Sequence, residues 1–269
     1  PDVVALQEIQ DNSGETDDGT VEADQTLQAL VDAIAAAGGP SYEFFDVAPA
    51  DGSSGGVPGG NIRNAFLYNP ERVELDHFVS LTETVLTEIG VSNPTAFVGT
   101  RDPLAAAFVF EGQLFVVINN HLSSRFGSTP IFGGPQPFFQ AAESDREAQL
   151  GALNEVVDLI LAADKDARVI VLGDFNTFEF TDDLTEILPG TLDGKAIMKT
   201  LLTEVEDDNR YTFIFDGNSQ VLDHMFATRS LLESAEFDIV HVNVDFNRLF
   251  NATTASDHEP LVGRFSFKD

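Results

Sequence analysis

Polar side chains that can bind a metal ion or transfer a proton follow several apolar runs in this sequence. They lie in five short segments: Gln7-Glu8, Asn119-Asn120-His121, Gly173-Asp174-Phe175-Asn176, Leu222-Asp223-His224 and Ser256-Asp257-His258. Carboxylate and amide oxygens favour the hard cations Mg²⁺ and Mn²⁺ over zinc, and the chain contains no cysteine. A histidine paired with a carboxylate supplies general acid–base function. Together the segments suit metal-assisted acid–base chemistry.

Each segment taken alone has a plainer interpretation. Asp174 could cap a helix or close an Asx turn, and His121 could be an ordinary core residue. His224 follows Asp223 directly and would point to the other face of a strand, which favours a structural role. The order and spacing of all five segments along one chain are what make the set specific.

The ordered set resembles the endonuclease/exonuclease/phosphatase superfamily, which includes deoxyribonuclease I-like nucleases, inositol phosphatases and bacterial sphingomyelinases. Its most specific parts are residues 173–176 and 256–258, and the resemblance extends from Glu8 to His258. The sequence that flanks these motifs is most similar to that of secreted bacterial extracellular nucleases. The resemblance implies an α/β (α+β mixed) fold: a four-layer sandwich with two packed mixed β-sheets flanked by helices.

The resemblance also implies which residues act on the metal ion and the water. Glu8 and Asp257 would bind Mg²⁺ or Mn²⁺. His258 would contact the scissile phosphate or activate water, oriented by Asp223. Such a pair makes chemical sense, because the carboxylate fixes the tautomer of the imidazole. A divalent cation would neutralise the charge that develops on the phosphate.

The remaining roles concern the attacking water and the substrate. Asp174 would position or deprotonate the water, and Asn176 would hold the phosphate or the metal ion. His121 would hydrogen-bond a phosphate oxygen or act as an acid. Three further residues would bind the substrate: Arg101, Arg63 and Asn64. For the last two, an ordinary polar position on a strand is an equally good interpretation. The family's acidic partner for His121 is replaced here by Ile62, so that partner is left open.

Together with the resemblance to secreted bacterial nucleases, these roles imply a secreted nuclease that hydrolyses DNA, with RNA as a further substrate. The alternative is a phospholipid phosphodiesterase of the sphingomyelinase type, or a phosphomonoesterase, on the same fold. A third interpretation is a degenerate member that binds a partner without catalysis. Nucleic acid is the expected partner. We expect no obligate protein partner and no membrane insertion, because no apolar run approaches 18 residues.

The composition bears on habitat more than on substrate. The chain has 269 residues, and 14 basic against 45 acidic residues give a net charge of −31. Such a chain is repelled by nucleic acid and anionic membranes at low salt, whereas molar salt shortens the Debye length to ~3 Å. We therefore expect a marine or halophilic bacterial source. The acidic loop at residues 11–24 could hold Ca²⁺ as a structural ion, although a solvated loop is the simpler interpretation.

Hydrophobic periodicity predicts the elements that must position these residues. Two helices are expected, one from about residue 27 to a Gly38-Gly39 stop and one at 142–163. Strands are expected at Val3–Ile9, 42–47, 63–68, 73–79, 104–110, 114–119, 168–172, 211–215, 221–227 and 261–267. The segments 211–215 and 221–227 are expected to pair as a hairpin. We expect residues 1–269 to form a single domain that lacks the family's first strand and helix.

Overall fold

The computed structural model describes residues 1–192, 195–245 and 255–267. Backbone contacts divide the chain into two compact units. The first unit comprises Pro1–Leu122 and Val169–Gly173, and the second comprises Ser123–Arg168 and Asp174–Asp269. In the described part of the chain, no helix is long and apolar enough to cross a membrane.

The first unit contains a three-stranded antiparallel sheet. Its strands are β1 (Val3–Ile9), β2 (Glu43–Asp46) and β3 (Arg63–Tyr68), in the order β1-β3-β2. All six residues of the central strand β3 are buried. Helix α1 (Asp24–Ala36) places Leu27 and Val31 against Ala65 and Leu67 of this sheet. The predicted helix and these three strands are therefore present, with small differences at their ends.

Four more strands of the first unit form one face of its core. They lie in the order β7-β6-β5-β4, with β4 (Glu74–Ser80), β5 (Leu104–Phe110), β6 (Gln113–His121) and β7 (Val169–Asp174). Strand β6 packs on β1 and β3, so the two sheets lie face to face. Phe66 and Phe108 meet edge to face at 6.0 Å in the core between the sheets. Helix α2 (Glu83–Ile89), which periodicity did not predict, is capped by the side chain of Thr82.

The second unit contains the longest helix and a series of short strands. Helix α3 (Glu143–Ala163) agrees with the predicted one. The other elements are β8 (Thr191–Leu192), β9 (Lys195–Ala196), β10 (Met198–Thr200), β11 (Phe213–Phe215), β12 (Asn218–Gln220), β13 (Asp223–Thr228), α4 (Arg229–Leu232), β14 (Glu236–Ile239) and β15 (Leu261–Arg264).

The predicted hairpin between residues 211–215 and 221–227 is wrong. Strand β11 pairs with the polar strand β12, and β13 pairs with β10 instead. The partner of β13 lies more than twenty residues upstream, and a pairing at that distance leaves no local turn signal. A tight hairpin also needs only the two residues Asp216-Gly217, both of which have positive φ.

Candidate active site

Three side chains of the second unit converge at the beginnings and ends of its elements. Asp174 is the last residue of β7, Asp223 is the first residue of β13, and His258 stands in an isolated bridge with Phe213. The Nδ1 atom of His258 lies 2.7 Å from Oδ2 of Asp223. Ligand atoms of the three residues all lie within 4.8 Å of one another. The two carboxylates at this spacing offer oxygen ligands of the kind that a divalent cation prefers.

The acidic surroundings of His258 determine its charge. Burial disfavours the imidazolium, but the hydrogen bond and charge of Asp223, with the charges of Asp174 and Asp257, outweigh burial and raise the pKa of His258 to about 10. The Asp223 carboxylate therefore holds a proton on Nδ1, and Nε2 carries the second proton at neutral pH. With its ring packed 4.8 Å from that of Phe213, His258 is set to donate to an anionic oxygen.

Asn176 orients the carboxylate of Asp174. Its backbone amide donates to Oδ1 of Asp174 at 2.8 Å, and its side-chain Nδ2 donates to Oδ2 at 3.1 Å. Asn176 takes a positive φ of 50° in this Asx turn, a conformation that asparagine tolerates better than most residues. The structure therefore places Asn176 beside Asp174 as its holder.

Gly173 explains why the motif around Asp174 begins with glycine. Its φ is +130°, and a Cβ built there would lie 2.0 Å from the backbone oxygen of Asn120. Asn120 is fully buried, and its Nδ2 donates to the carbonyl of Leu172 at 3.1 Å. No side chain fits between these two stretches of backbone.

In the first unit, a β-bulge presents Glu8. Leu6 pairs with Ala65 and Ile9 with Arg63, so two residues of β1 oppose one residue of β3. Glu8 takes a positive φ of 57°, and its side chain is 65% exposed. Its carboxylate oxygen Oε1 lies 3.7 Å from Nε2 of His121, which is buried at the end of β6.

Two amides, Gln7 and Asn119, support this bulge, although the motifs assign neither of them a role. Asn119 is fully buried, and its Nδ2 donates to the carbonyls of Leu6 and Ala65 at 2.9 and 3.0 Å. Gln7 in turn donates to Oδ1 of Asn119 at 2.5 Å. The available signal was a pair of asparagines at the end of an otherwise apolar strand, where a buried amide needs partners.

The predicted substrate residues of the first unit differ in how their side chains are used. Arg63 is buried and bonds Asp46 at 3.1 Å and the backbone carbonyls of Val21 and Asn61, which a structural role explains. Arg101 is buried and donates from Nη2 to the carbonyl of Leu122, directly after His121.

In the second unit, the predicted metal ligand Asp257 is exposed beside His258.

Arg146 lies near the start of α3, where a charged side chain is usually solvated, but the structure buries it. Its side chain is fully buried in the first turn of α3. Nη1 donates to the carbonyls of Ser123 and Ala141 at 3.1 and 2.8 Å. Burial lowers the pKa of Arg146, while the charges of several carboxylates, led by Asp183, oppose that shift. The arginine thus ties the segment before α3 to the helix.

Replacing Arg146 with methionine is expected to lower the free energy of unfolding by about 3 kcal/mol, because it removes a buried cation and its hydrogen bonds to backbone. Urea denaturation in molar salt measures the loss. The matched control is Arg264→Met, because Arg264 is 75% exposed and pairs with an exposed Glu236. Equal effects of the two substitutions would contradict the structural role of Arg146.

His224 is a buried neutral histidine. Its Nε2 lies 3.0 Å from the carbonyl of Thr177, and its ring meets that of Phe175 edge to face at 5.6 Å. Burial lowers its pKa to about 4, although the hydrogen bond to Thr177 and the charge of Asp223 favour the charged form. This environment agrees with the structural role inferred from the sequence.

Because the pKa of His224 is lower in the folded chain than in the unfolded chain, its stabilisation is complete above about pH 6.5 and is lost as the pH falls towards 4. We expect a loss of about 3 kcal/mol across that window. Urea denaturation at several pH values should show a steeper decline for the native chain than for His224→Gln. Parallel declines would exclude a buried neutral His224.

Comparison with solved structures shows the fold. The human Nocturnin catalytic domain with bound sulfate is 19% identical over 100% of this chain and 82% of that one, with a TM-score of 0.61. A TDP2 from D. rerio in complex with a single-strand DNA product is 18% identical over 99% and 86%, with a TM-score of 0.58. A mannosyl-6-phosphatase from Bacteroides thetaiotaomicron is 17% identical over 99% and 85%, with a TM-score of 0.55. No curated protein sequence matches the chain.

The fold and the sequence lead to the same family. The predicted mixed α/β fold, with two large packed sheets flanked by helices, is confirmed. A sequence profile of the Endonuclease/Exonuclease/phosphatase family matches residues 1–258, which is nearly the whole chain. Members of this family are metal-dependent phosphoester hydrolases, nucleases and phosphatases. The chain therefore belongs to the endonuclease/exonuclease/phosphatase family and is a metal-dependent hydrolase of phosphoric esters.

Proposed function

We propose that the chain hydrolyses phosphodiester bonds in DNA, with RNA as a further substrate, using Mg²⁺ or Mn²⁺. The observation that carries this proposal is the His258–Asp223 pair beside Asp174. The charged imidazole can donate to a phosphate oxygen, and the neighbouring Asp174 carboxylate can accept a proton from water. Similar structures include proteins bound to a DNA product and to sulfate, which agrees with this chemistry.

The residues of the second unit divide the work of hydrolysis. His258 would donate from Nε2 to a non-bridging oxygen of the scissile phosphate while Asp223 holds its Nδ1 proton. Asp174, fixed by Asn176, would orient the attacking water and accept its proton. A divalent cation held by this acidic cluster would neutralise the charge developing on the phosphate. Asp257 is proposed as one of its ligands.

The residues of the first unit are proposed on the resemblance together with their own geometry. Glu8 is exposed on a bulge that Asn119 supports, which suits a metal ligand. His121 lies 3.7 Å from Glu8 and would hydrogen-bond a phosphate oxygen or act as an acid. Arg101 and Asn64 are proposed to bind substrate. Arg63 is kept as a weaker candidate, because its donors are used within the protein.

The net charge of the chain bears on the salt concentration at which we expect activity. A protein with a net charge of −31 must bring a polyanion to its site, and molar salt screens the distant repulsion. We therefore propose a secreted enzyme of a halophilic or marine bacterium, whose activity tolerates or requires molar salt.

One observation favours a different substrate on the same site. Phe126, Phe132 and Phe139 are 94%, 82% and 61% exposed in the loop that precedes α3. An exposed aromatic loop suits a phospholipid interface as well as nucleobases. A phospholipid phosphodiesterase is therefore the second candidate, and release of phosphocholine from sphingomyelin vesicles tests it.

The first test is incubation of the whole chain with supercoiled plasmid and Mg²⁺ or Mn²⁺, at low and at molar salt. Nicking that a chelator abolishes is the expected result. The same preparation is assayed in parallel with a phosphomonoester and with sphingomyelin vesicles. Hydrolysis of either of these without nicking would reject the nuclease proposal and leave the phosphoesterase assignment in place.

A further inference from the structure

A cavity lies at the edge of the first unit where its two sheets present Glu8 and His121. Its volume is ≈ 290 Å³, and its walls come from the loop after β2 and from the starts of β3 and β5. Arg63, at the start of β3, pairs with Ile9, directly after Glu8, and Leu104, at the start of β5, pairs with Asn119, two residues before His121. The cavity therefore borders the part of the unit from which the proposed catalytic residues project.

Part of the cavity lining is polar. It contains Arg101, Asp102 and Asn64, and the arginine is tied to the carbonyl of Leu122 after His121. Asn64 is 3% exposed, and its Nδ2 donates to the carbonyl of Asp102 at 2.9 Å. Its Oδ1 accepts no hydrogen bond from the described part of the chain. One N–H of Nδ2 is used by Asp102, and Oδ1 is left as an acceptor for a ligand.

Other residues that line the cavity are aliphatic. Val47, Pro49, Ile62 and Leu104 line the cavity together with small residues of the loop after β2. A volume of ≈ 290 Å³ is at the lower limit of small-molecule sites, which span ~300–1,000 Å³. One ring system fits such a space, and a dinucleotide does not. A flat ring can pack against the aliphatic side chains while its N–H groups donate to the buried acceptors. Such a ligand suits both kinds of lining residue.

We propose that this cavity binds a nucleobase of the substrate through N–H groups on its Watson–Crick edge. The proposal rests on the proposed nuclease function and adds a base preference to it. Asn64 Oδ1 and the Asp102 carboxylate are the acceptors, and guanine presents two adjacent N–H groups that match them. Burial raises the pKa of Asp102 to about 6, so the carboxyl group is mostly an acceptor at neutral pH.

The test is calorimetric binding of guanosine 5′-monophosphate and of ribose 5-phosphate to the whole chain with Mg²⁺. We expect guanosine monophosphate to bind at least about tenfold more tightly than the sugar phosphate. Ala48→Phe, on an exposed alanine of the cavity wall, should fill the space and abolish that preference. Ala37→Phe, on an exposed alanine after α1, is the matched control and should keep it.

A second variant tests the hydrogen bond itself. Asn64→Leu removes the acceptor and should reduce the preference about tenfold in a chain whose thermal unfolding is still cooperative. If Asn64→Leu does not fold, Ala48→Phe alone decides the matter. Equal affinities for the two ligands, or an unchanged preference in Ala48→Phe, would overturn the proposal.

Hydrolysis of bis(p-nitrophenyl) phosphate, which carries no nucleobase, separates this inference from the proposed function. Chelator-sensitive hydrolysis without a base preference would reject the cavity as a base site and keep the phosphodiesterase. A base preference without hydrolysis would keep the cavity and reject the phosphodiesterase. The control Ala37→Phe, outside the cavity, should hydrolyse this substrate at the native rate.

Discussion

Replacing His258 with alanine is expected to reduce chelator-sensitive hydrolysis of plasmid DNA by ~10²–10⁴-fold while the chain stays folded. The imidazole is the one charged donor in the Asp174–Asp223–His258 cluster, so its loss leaves the phosphate oxygen facing carboxylates alone. His258 is only partly buried and packs against one ring, that of Phe213, so the fold should survive. Initial rates on plasmid, together with thermal unfolding, measure both expectations.

The matched control for His258 is His77→Ala. His77 also pairs with an aspartate, Asp76, at 2.6 Å, but its side chain is 68% exposed on β4. That substitution should leave the rate within about twofold of the native one. Asp223→Asn should retain some activity, since the imidazole stays and only its holder changes. A His258→Ala chain as active as the His77→Ala chain would remove His258 from the mechanism.

Gly173→Ala is expected to lower the free energy of unfolding by ~4 kcal/mol and to abolish hydrolysis. The new Cβ would lie 2.0 Å from the backbone oxygen of Asn120, and the φ of +130° is one that alanine rarely adopts. Backbone cannot yield as a flexible side chain does, so β6 and β7 must separate locally. Asp174 follows Gly173 directly and would move with it. Urea denaturation and plasmid nicking give the two measurements.

Gly112→Ala separates the two causes of the Gly173 effect. Gly112 also has a positive φ of 80°, but an added Cβ there meets nothing within 4 Å. Its substitution should cost only about 1 kcal/mol, the strain of the left-handed conformation. Similar losses for both glycines would show that φ alone matters and that the approach to Asn120 is unimportant.

The sequence predicted those parts of the fold whose signals are local. Helix α3 and strands β1, β3, β5 and β6 carry their periodicity in one continuous stretch, so their positions agree with the prediction. The partner of β13 could not be predicted in this way, because β10 is three residues long and distant in the chain. The burial of Arg146 could not be predicted either, because a charged residue at the start of a helix is usually solvated.

The candidate site shows a similar division between residue types and geometry. The motifs indicated which side chains could do chemistry, and the structure places Asp174, Asp223 and His258 within one cluster. Glu8 is supported by a side chain to which the motifs assigned no role. Asn119 holds the bulge of Glu8 by bonds to two strands, and such bonds exist only after the sheets have packed. Periodicity contains no information about contacts of this kind.

The left-handed backbone at Glu8 and Asn176 has a consequence for the history of this protein. Their φ values of 57° and 50° each cost about 1 kcal/mol relative to glycine, and both residues belong to the proposed site. A glycine at either position would relax the backbone while deleting a functional group. Loss of these two side chains should therefore raise the free energy of unfolding. Relatives that are not under selection for catalysis should accumulate such substitutions and become more stable and inactive.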